Sequence, residues 1–535
     1  MTSIEAMRSS YPNQVIPVRV VIGVTGHRLL ENQSALAGAV RSAINNIRQI
    51  VPPLKNTPWL WCALSPLAEG ADRLVAREII KAGGVLEVIL PIDKDDYMAD
   101  FASEESKQEF ETLLSQAKSV RTLTAGAGRD AAYEEVGRYV VEQCDILIAL
   151  WDGESSAGRG GTQEIVEYAR ETKCPLVWIH TENPSYITME MGRGLEERAF
   201  RYLDDYNLKR VDPDEIKKQL HRDVESISSQ VERAGLSLDR VRPTLEYFLS
   251  HYARADKLAL RYQHLYYRME TWVYSLALAA VIIAAFQDLF LPDLPIILVS
   301  EIVLMLAVLG IIWTGRQQRW HERWLDYRFL AERFRAAIFM ALADIEASTL
   351  KPPRHLSLAY SSKDWIVAAF SAVWRLKPRV AAFDASTFEG MKQFVSEAWL
   401  EDQIRYYKGT SRRHLGRHRR MTTASYVLFG LTIGVVLARV LNAGPPSLKT
   451  AWAFMAVIFP ALAASITAIR THRDYLRNSM RSAEMARHLE ELKNKVMKLK
   501  DYRGFAALVK ETEETMLHEN EDWRVIVRFQ TTEPV

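Results

Sequence analysis

Four stretches in the second half of the chain, residues 272–289, 294–313, 424–441 and 450–469, are 18 to 20 residues long and almost wholly apolar. A helix of about 20 apolar residues, rising ~1.5 Å per residue, crosses the hydrocarbon of a bilayer. A helix in a water-soluble core shows a polar stripe where it meets solvent, whereas these four are apolar nearly all round. They read as four membrane spans arranged in two hairpins.

The flanks orient the hairpins. Arg261 and Arg268 precede the first span and Arg316, Arg319 and Arg323 follow the second. Arg412, Arg413, Arg417, Arg419 and Arg420 precede the third, and Arg470, Arg473 and Arg477 follow the fourth. The tips carry only Asp288 and Asp293 in one hairpin and Lys449 in the other. Positive charge stays on the cytosolic side, so both termini and the segment between the hairpins are expected there, in a multi-pass protein of the inner membrane. Residues 1–17 lack a basic start followed by an apolar run, so no cleavable signal peptide is expected.

The hairpins also resemble one another. Arg261 and Arg413, Arg268 and Arg420, Met269 and Met421, Ala331 and Ala483, Glu332 and Glu484, and Arg335 and Arg487 are identical pairs, each 152 residues apart. An ungapped register of this kind predicts two copies of one module, over residues 247–345 and 399–497. Residues 186–246, punctuated by Pro213 and Pro243, read as a helical coupling segment. Residues 346–398 read as a connector containing an amphipathic helix, and the region from 399 to 535 as the second module with further cytosolic helices.

Residues 1–185 alternate differently. Apolar, β-branched runs at 20–25, 59–64, 85–90, 120–123, 145–151 and 175–180 alternate with helix-like stretches at 34–51, 71–81, 103–117, 133–143 and 162–170. Strand and helix in alternation predict a Rossmann-like α/β domain, a parallel sheet covered on both faces, ahead of an α-helical membrane region. Ligands of such sheets bind beyond the carboxyl ends of the strands. After the first strand stand Gly26, His27 and Arg28; after the second, Glu69, Gly70, Asp72 and Arg73; after the fifth, Asp152 and then Gly160, Gly161 and Thr162, which run into a helix. Glycine admits an anion close to the backbone, and free amides at a helix start favour negative charge.

These residues carry a family resemblance. Val24-Thr25-Gly26-His27-Arg28, Ala68-Glu69-Gly70-Ala71-Asp72-Arg73 and Gly160-Gly161-Thr162 resemble the SLOG superfamily, whose Rossmann-like nucleotide-binding domains are related to the LOG phosphoribohydrolases and the DprA proteins. The likeness covers about residues 16–185. The paired spans followed by Ala331-Glu332 and Ala483-Glu484 resemble the SLATT two-span effector domains that accompany SLOG and nucleotide-synthesising proteins in bacterial conflict systems. Together the resemblances imply a homo-oligomeric sensor that binds a nucleotide second messenger and acts on the lipid bilayer. The chain departs from the hydrolytic LOG pattern, in which a glutamate follows the threonine by three residues. Here that position is Ile165, and Glu164 stands one short, which turns its side chain by about 100 degrees on a helix. A ligand-gated effector is therefore the first expectation. A membrane-anchored nucleotide N-glycosidase or phosphoribohydrolase and a nucleotide-regulated channel or transporter remain open.

Composition narrows the remaining classes. With 68 basic and 66 acidic residues the net charge is +2, so no overall electrostatic footprint for nucleic acid exists. Cys62, Cys144 and Cys174 form neither a CxxC pair nor a disulfide framework and read as buried small residues in a reducing compartment. No Ser/His/Asp set, metal cluster or Walker loop stands out, and neither a cofactor nor a metal is expected. Within the second span Glu301 is a carboxyl at hydrocarbon depth, a candidate lining residue of a pore.

Overall fold

The computed structural model describes residues 15–50, 54–123, 128–154, 161–190, 197–294, 296–345, 365–378 and 387–528. The chain forms two compact units, Met1–Arg210 with Thr349–Lys377, and Val211–Ser348 with Pro378–Val535.

In the first unit the elements run β1 (Val18–Gly26), α1 (Gln33–Ile50), β2 (Trp59–Ser65), α2 (Ala71–Lys81), β3 (Val85–Leu90), α3 (Lys94–Met98), α4 (Glu104–Gln116), β4 (Ser119–Thr122), α5 (Arg129–Gln143), β5 (Ile146–Trp151), α6 (Thr162–Glu171), β6 (Leu176–His180), β7 (Ile187–Glu190) and α7 (Glu197–Leu208). The strands lie in the order β4-β3-β2-β1-β5-β6-β7. All neighbours are parallel except β6 and β7, which are antiparallel. Helices cover both faces, which is why β5 is an unbroken apolar run whose six residues are all buried. The six expected strands are present. β7 is additional: four half-buried residues, Ile-Thr-Met-Glu, without an apolar run to mark them. The Arg170 guanidinium braces this edge by donating to both Glu190 oxygens, at 2.9 and 2.6 Å.

The helices continue with α8 (Pro213–Arg233), α9 (Leu238–Phe290), α10 (Ile297–Gln317), α11 (Trp320–Leu342), α12 (Trp365–Leu376), α13 (Phe388–Phe394), a π-helical stretch Val395–Glu401, α14 (Asp402–Val440), α15 (Pro446–His472), α16 (Tyr475–Lys498) and α17 (Tyr502–Arg528). The amphipathic helix expected in the connector is α12, and it packs in the first unit: its Trp365 ring lies 5.6 Å from Tyr206, and Arg375 lies 3.5 Å from Glu87. Pro213 opens α8 behind the capping carboxylate of Asp212, which accepts from the Asp214 amide at 3.0 Å. Pro243, by contrast, ends nothing. It lies near the start of α9, which continues for 53 residues from Leu238 through the first span. The stretch Phe388–Val440 is also 53 residues long and carries the third span. At ~1.5 Å per residue each such rod is about 80 Å long, so the segment leading into the membrane and the span itself are one piece.

A core helix would be covered by neighbours. Instead Tyr426, Val427, Phe429, Ile433, Leu437 and Val440 of α14 are exposed, and α15 has no buried residue. Apolar surface of this extent is left for lipid. The four helices that carry it are long and apolar enough to cross a membrane.

The two hairpins share a break. Arg319 and Asp474, 155 residues apart, both adopt left-handed backbone (φ 51° and 46°) between the second helix of a hairpin and the helix leaving it. The flanking hydrogen bonds repeat at the same offset: Gln318 N to Thr314 O matches Arg473 N to Ile469 O, and Arg323 N to Arg319 O matches Asn478 N to Asp474 O. The expected 152-residue register thus does not hold at the helices that leave the hairpins, where the two copies align at 155. Ala331 is buried and Ala483 exposed, whereas Ala486, its partner at 155, is buried. Glu332 and Arg335 are nearly covered, but Glu484 and Arg487 pair with each other on the surface.

Candidate functional site

The strand order reverses between β1, which pairs with β2 on one side, and β5 on the other. A crevice opens at the carboxyl ends of strands at such a point. β1 pairs one residue past its end, the His27 amide donating to Leu150 O at 3.1 Å, and His27 O in turn accepts from the Ala71 amide that opens α2. Two glycines permit this crossing. A Cβ at Gly26 would stand 2.5 Å from Leu150 O and 2.6 Å from the Ala71 Cβ. At Gly70, where φ is +78°, a Cβ would stand 2.3 Å from Arg28 O and 2.4 Å from His27 O. The need for glycine here comes from two loops meeting backbone to backbone.

Across the crevice the His27 imidazole reaches Asp152. Its Nε2 lies 3.0 Å from Asp152 Oδ1 and accepts from the Asp152 amide at 3.3 Å. Burial works to raise the Asp152 carboxyl, but the Glu154 amide and His27 hold it below its usual value. Arg28 is exposed, with its guanidinium 5.6 Å from the centre of the Tyr133 ring. Beneath, Asp72 is buried and accepts from the Ala68 amide at 3.2 Å; burial pushes its carboxyl up to about 7 against the pull of that amide, Ser65, Arg28 and Arg73. On the β5 side α6 begins at Thr162 with Gly161 as its cap residue and no side chain capping it. Its first-turn amides have no acceptor within the helix, an arrangement that favours negative charge. Gly160 lies outside the described residues.

Glu69 and Arg73 are turned elsewhere. Arg73 is 2% exposed, donates to Leu67 O (3.1 Å), Ser106 O (2.9 Å) and Ser106 Oγ (2.8 Å), and pairs with Glu109 at 3.2 Å. Glu69 accepts from the Ala102 amide at 3.0 Å and from the Ser106 hydroxyl, which together with Arg73 hold its carboxyl low against burial. Both residues clamp the β2–α2 loop to the start of α4. Arg73 Nε and Nη1 are thus occupied by protein oxygens, whereas its buried Nη2 has no partner among the described residues. Glu164 lies 3.6 Å from Arg138 of α5.

Sequence reasoning passed over Tyr97 and Tyr133. Tyr97 is fully buried, its hydroxyl without a partner among the described residues, and its ring packs 5.9 Å from Tyr133. The Tyr133 hydroxyl donates to Asp100, and burial and that carboxylate push its pKa up to about 12. Tyr133 is in the first turns of the helix after β4, so inspecting that strand end as well finds it. Cys144 and Cys174, far apart in sequence, have their sulfurs 3.6 Å apart. Neighbouring strands in a parallel sheet bring residues 30 apart side by side.

In the helical unit Glu301 lies on α10, partly covered, with no ion pair or hydrogen bond among the described residues. The Glu270 carboxylate, buried on α9 just before the first span, meets Arg473 Nε at 3.1 Å and His472 Nδ1 at 2.8 Å from the end of the fourth.

Residues 397–523 match the SLATT_1 family, described as SMODS and SLOG-associating 2TM effector domain 1. The match runs from the π-helical stretch through both spans of the second hairpin into α17. Over these residues the chain is thus similar to a two-span effector domain. Among curated proteins none matches it.

Proposed function

We propose that this chain is a nucleotide-sensing membrane effector of bacterial antiviral defence. Its first unit is a SLOG-type domain, and a nucleotide second messenger binds in the β1/β5 crevice. The α6 amides and Arg28 take phosphate, while the His27–Asp152 pair offers hydrogen-bonding edges to the sugar or base. Binding drives oligomers of the chain to perturb or permeabilise the inner membrane through their spans, with both termini in the cytosol. The hairpin at residues 272–313 acts as a second effector module beside the matched one. The observation that carries this reading is the presence, in one chain, of a strand-order switch point with a glycine-led helix start beside it and a match to a two-span effector family. Glu164, set beside Arg138, supports sensing over hydrolysis.

The test is reconstitution of the full chain in dye-loaded liposomes with a panel of cyclic and linear nucleotides. Efflux that depends on one nucleotide, recovered unchanged by mass spectrometry, is expected, and Gly161→Leu abolishes both binding and efflux. Efflux with no added nucleotide, or a nucleotide recovered as free base and phosphoribose, overturns the proposal.

A further inference from the structure

A cavity of about 300 Å3 lies within the helical unit, outside the spans, between the two hairpin modules. The first module lines it from α9 and α11, the second from α14 and α16, with Glu519 of α17 completing the wall. Its four charged groups are already matched. Arg328 meets Asp256 at 3.0 Å and Glu332 at 2.5 Å, and Arg481 meets Glu519 at 2.8 Å. An ionic occupant has to displace one of these pairs in a partly desolvated place, which leaves the abandoned partner uncompensated. The wall therefore selects against net charge of either sign.

The rest of the lining has two characters. Tyr267, Trp324, Tyr406 and Tyr407 supply aromatic faces, on which a flat ring stacks. Gln263, Thr410, Asn478 and Ser482 supply amide and hydroxyl groups; Asn478 Nδ2 donates to Arg473 O and Thr410 Oγ1 accepts from Arg413, and the remaining donors and acceptors of the four can read the edge of such a ring. His414, also on the wall, has a buried Nδ1 with no partner among the described residues. The volume stands at the small end of ligand pockets, which run from about 300 to 1,000 Å3.

We propose that this inter-module cavity binds one uncharged, planar heteroaromatic molecule of nucleoside size. Its place gives the occupant leverage. Tyr267 on the wall stacks at 4.7 Å on the Arg473 guanidinium, which holds Glu270 of the other module. A ligand wedged against Tyr267 bears on the pair that ties the first span to the fourth. The cavity is separate from the β1/β5 crevice and does not depend on what that crevice binds.

The experiment is equilibrium dialysis of adenosine, guanosine, cytidine and uridine against the full chain in detergent micelles, with the corresponding monophosphates as competitors. Saturable binding of at least one nucleoside is expected. It should weaken by about tenfold or more, a loss of at least ~1.4 kcal/mol, in Thr410→Trp, which fills the cavity, and in Gln263→Ala. Gly161→Leu in the other unit should leave it unchanged. Gel filtration and circular dichroism identify a variant that has failed to fold, and Gln263→Ala, a truncation, then decides. Absence of saturable binding by the wild type up to millimolar nucleoside overturns the proposal. So does binding that a folded Gln263→Ala variant retains in full, and monophosphates competing as strongly as nucleosides overturn the selection against charge.

Discussion

Asp72→Asn tests whether the floor of the crevice holds a proton. The carboxyl is buried, and its pKa stands at about 7 against an ordinary 3.8. Between those values the folded chain keeps a proton that the unfolded chain releases. Stability therefore falls as pH rises from about 4 to about 7 and levels off above. Three pKa units at about 1.4 kcal/mol each put the penalty at ~4 kcal/mol above neutrality, shrinking to ~1–2 kcal/mol at pH 5. Against a net stability of about 5–15 kcal/mol this is a large share. Asparagine keeps the shape, accepts the Ala68 amide and does not ionise. The variant is expected to be the more stable form at pH 8, with the advantage fading toward pH 5. Hydrogen exchange of β2 peptides in the full chain, corrected for intrinsic rates, reads this directly. A bound phosphate above Asp72 also favours its protonated form, so wild-type nucleotide affinity should fall as pH rises through 7 while that of Asp72→Asn stays level. Parallel pH profiles for the two proteins, or an asparagine variant less stable at every pH, would refute the reasoning and show the carboxylate ionised in the fold.

Gly70→Ala and Gly83→Ala separate clash from backbone strain. Both positions have φ near +78°, but a Cβ at Gly83 meets nothing within 4 Å, so only Gly70→Ala should add an overpacking cost of about 1–3 kcal/mol to thermal unfolding. Arg73→Ala should destabilise the first unit by about 1–3 kcal/mol, because it takes the donor from the Leu67 and Ser106 carbonyls, and Arg28→Ala should leave stability within about 0.5 kcal/mol while weakening nucleotide binding. Reporter fusions after Leu291 and Ala443 should report from outside the cytosol, and fusions at the N-terminus, at Lys351 and at the C-terminus from inside; an external signal at Lys351 defeats the two-hairpin topology. Glu301→Gln should change the ion preference of ligand-triggered efflux without altering nucleotide affinity, and identical efflux from the two forms removes Glu301 from the conducting path.

Local pattern by itself determined much of this protein. Twenty apolar residues in a row have few options but lipid, so the four spans are legible from hydropathy alone. The alternation of β-branched runs with amphipathic stretches marks a parallel sheet, and the rule that ligands sit at strand ends then points to Gly26, Arg28, Asp152 and Gly161 without coordinates. Side-chain direction and depth are another matter, because they depend on what packs opposite. Asp72 and Arg73 are adjacent in sequence and equally polar, yet α4 captures the guanidinium while the carboxyl is left buried near Arg28. The short edge strand β7 has no apolar signature, since its stability comes from pairing with β6. Matching identities across the hairpins suggested a 152-residue register. Only the left-handed breaks at Arg319 and Asp474 show that the exit helices align at 155, because helix phase is set by which face meets the neighbouring helix. The same cause hides the inter-module cavity. Its aromatic and polar groups come from helices separated by up to about two hundred residues, and nothing local to any one of them announces the others.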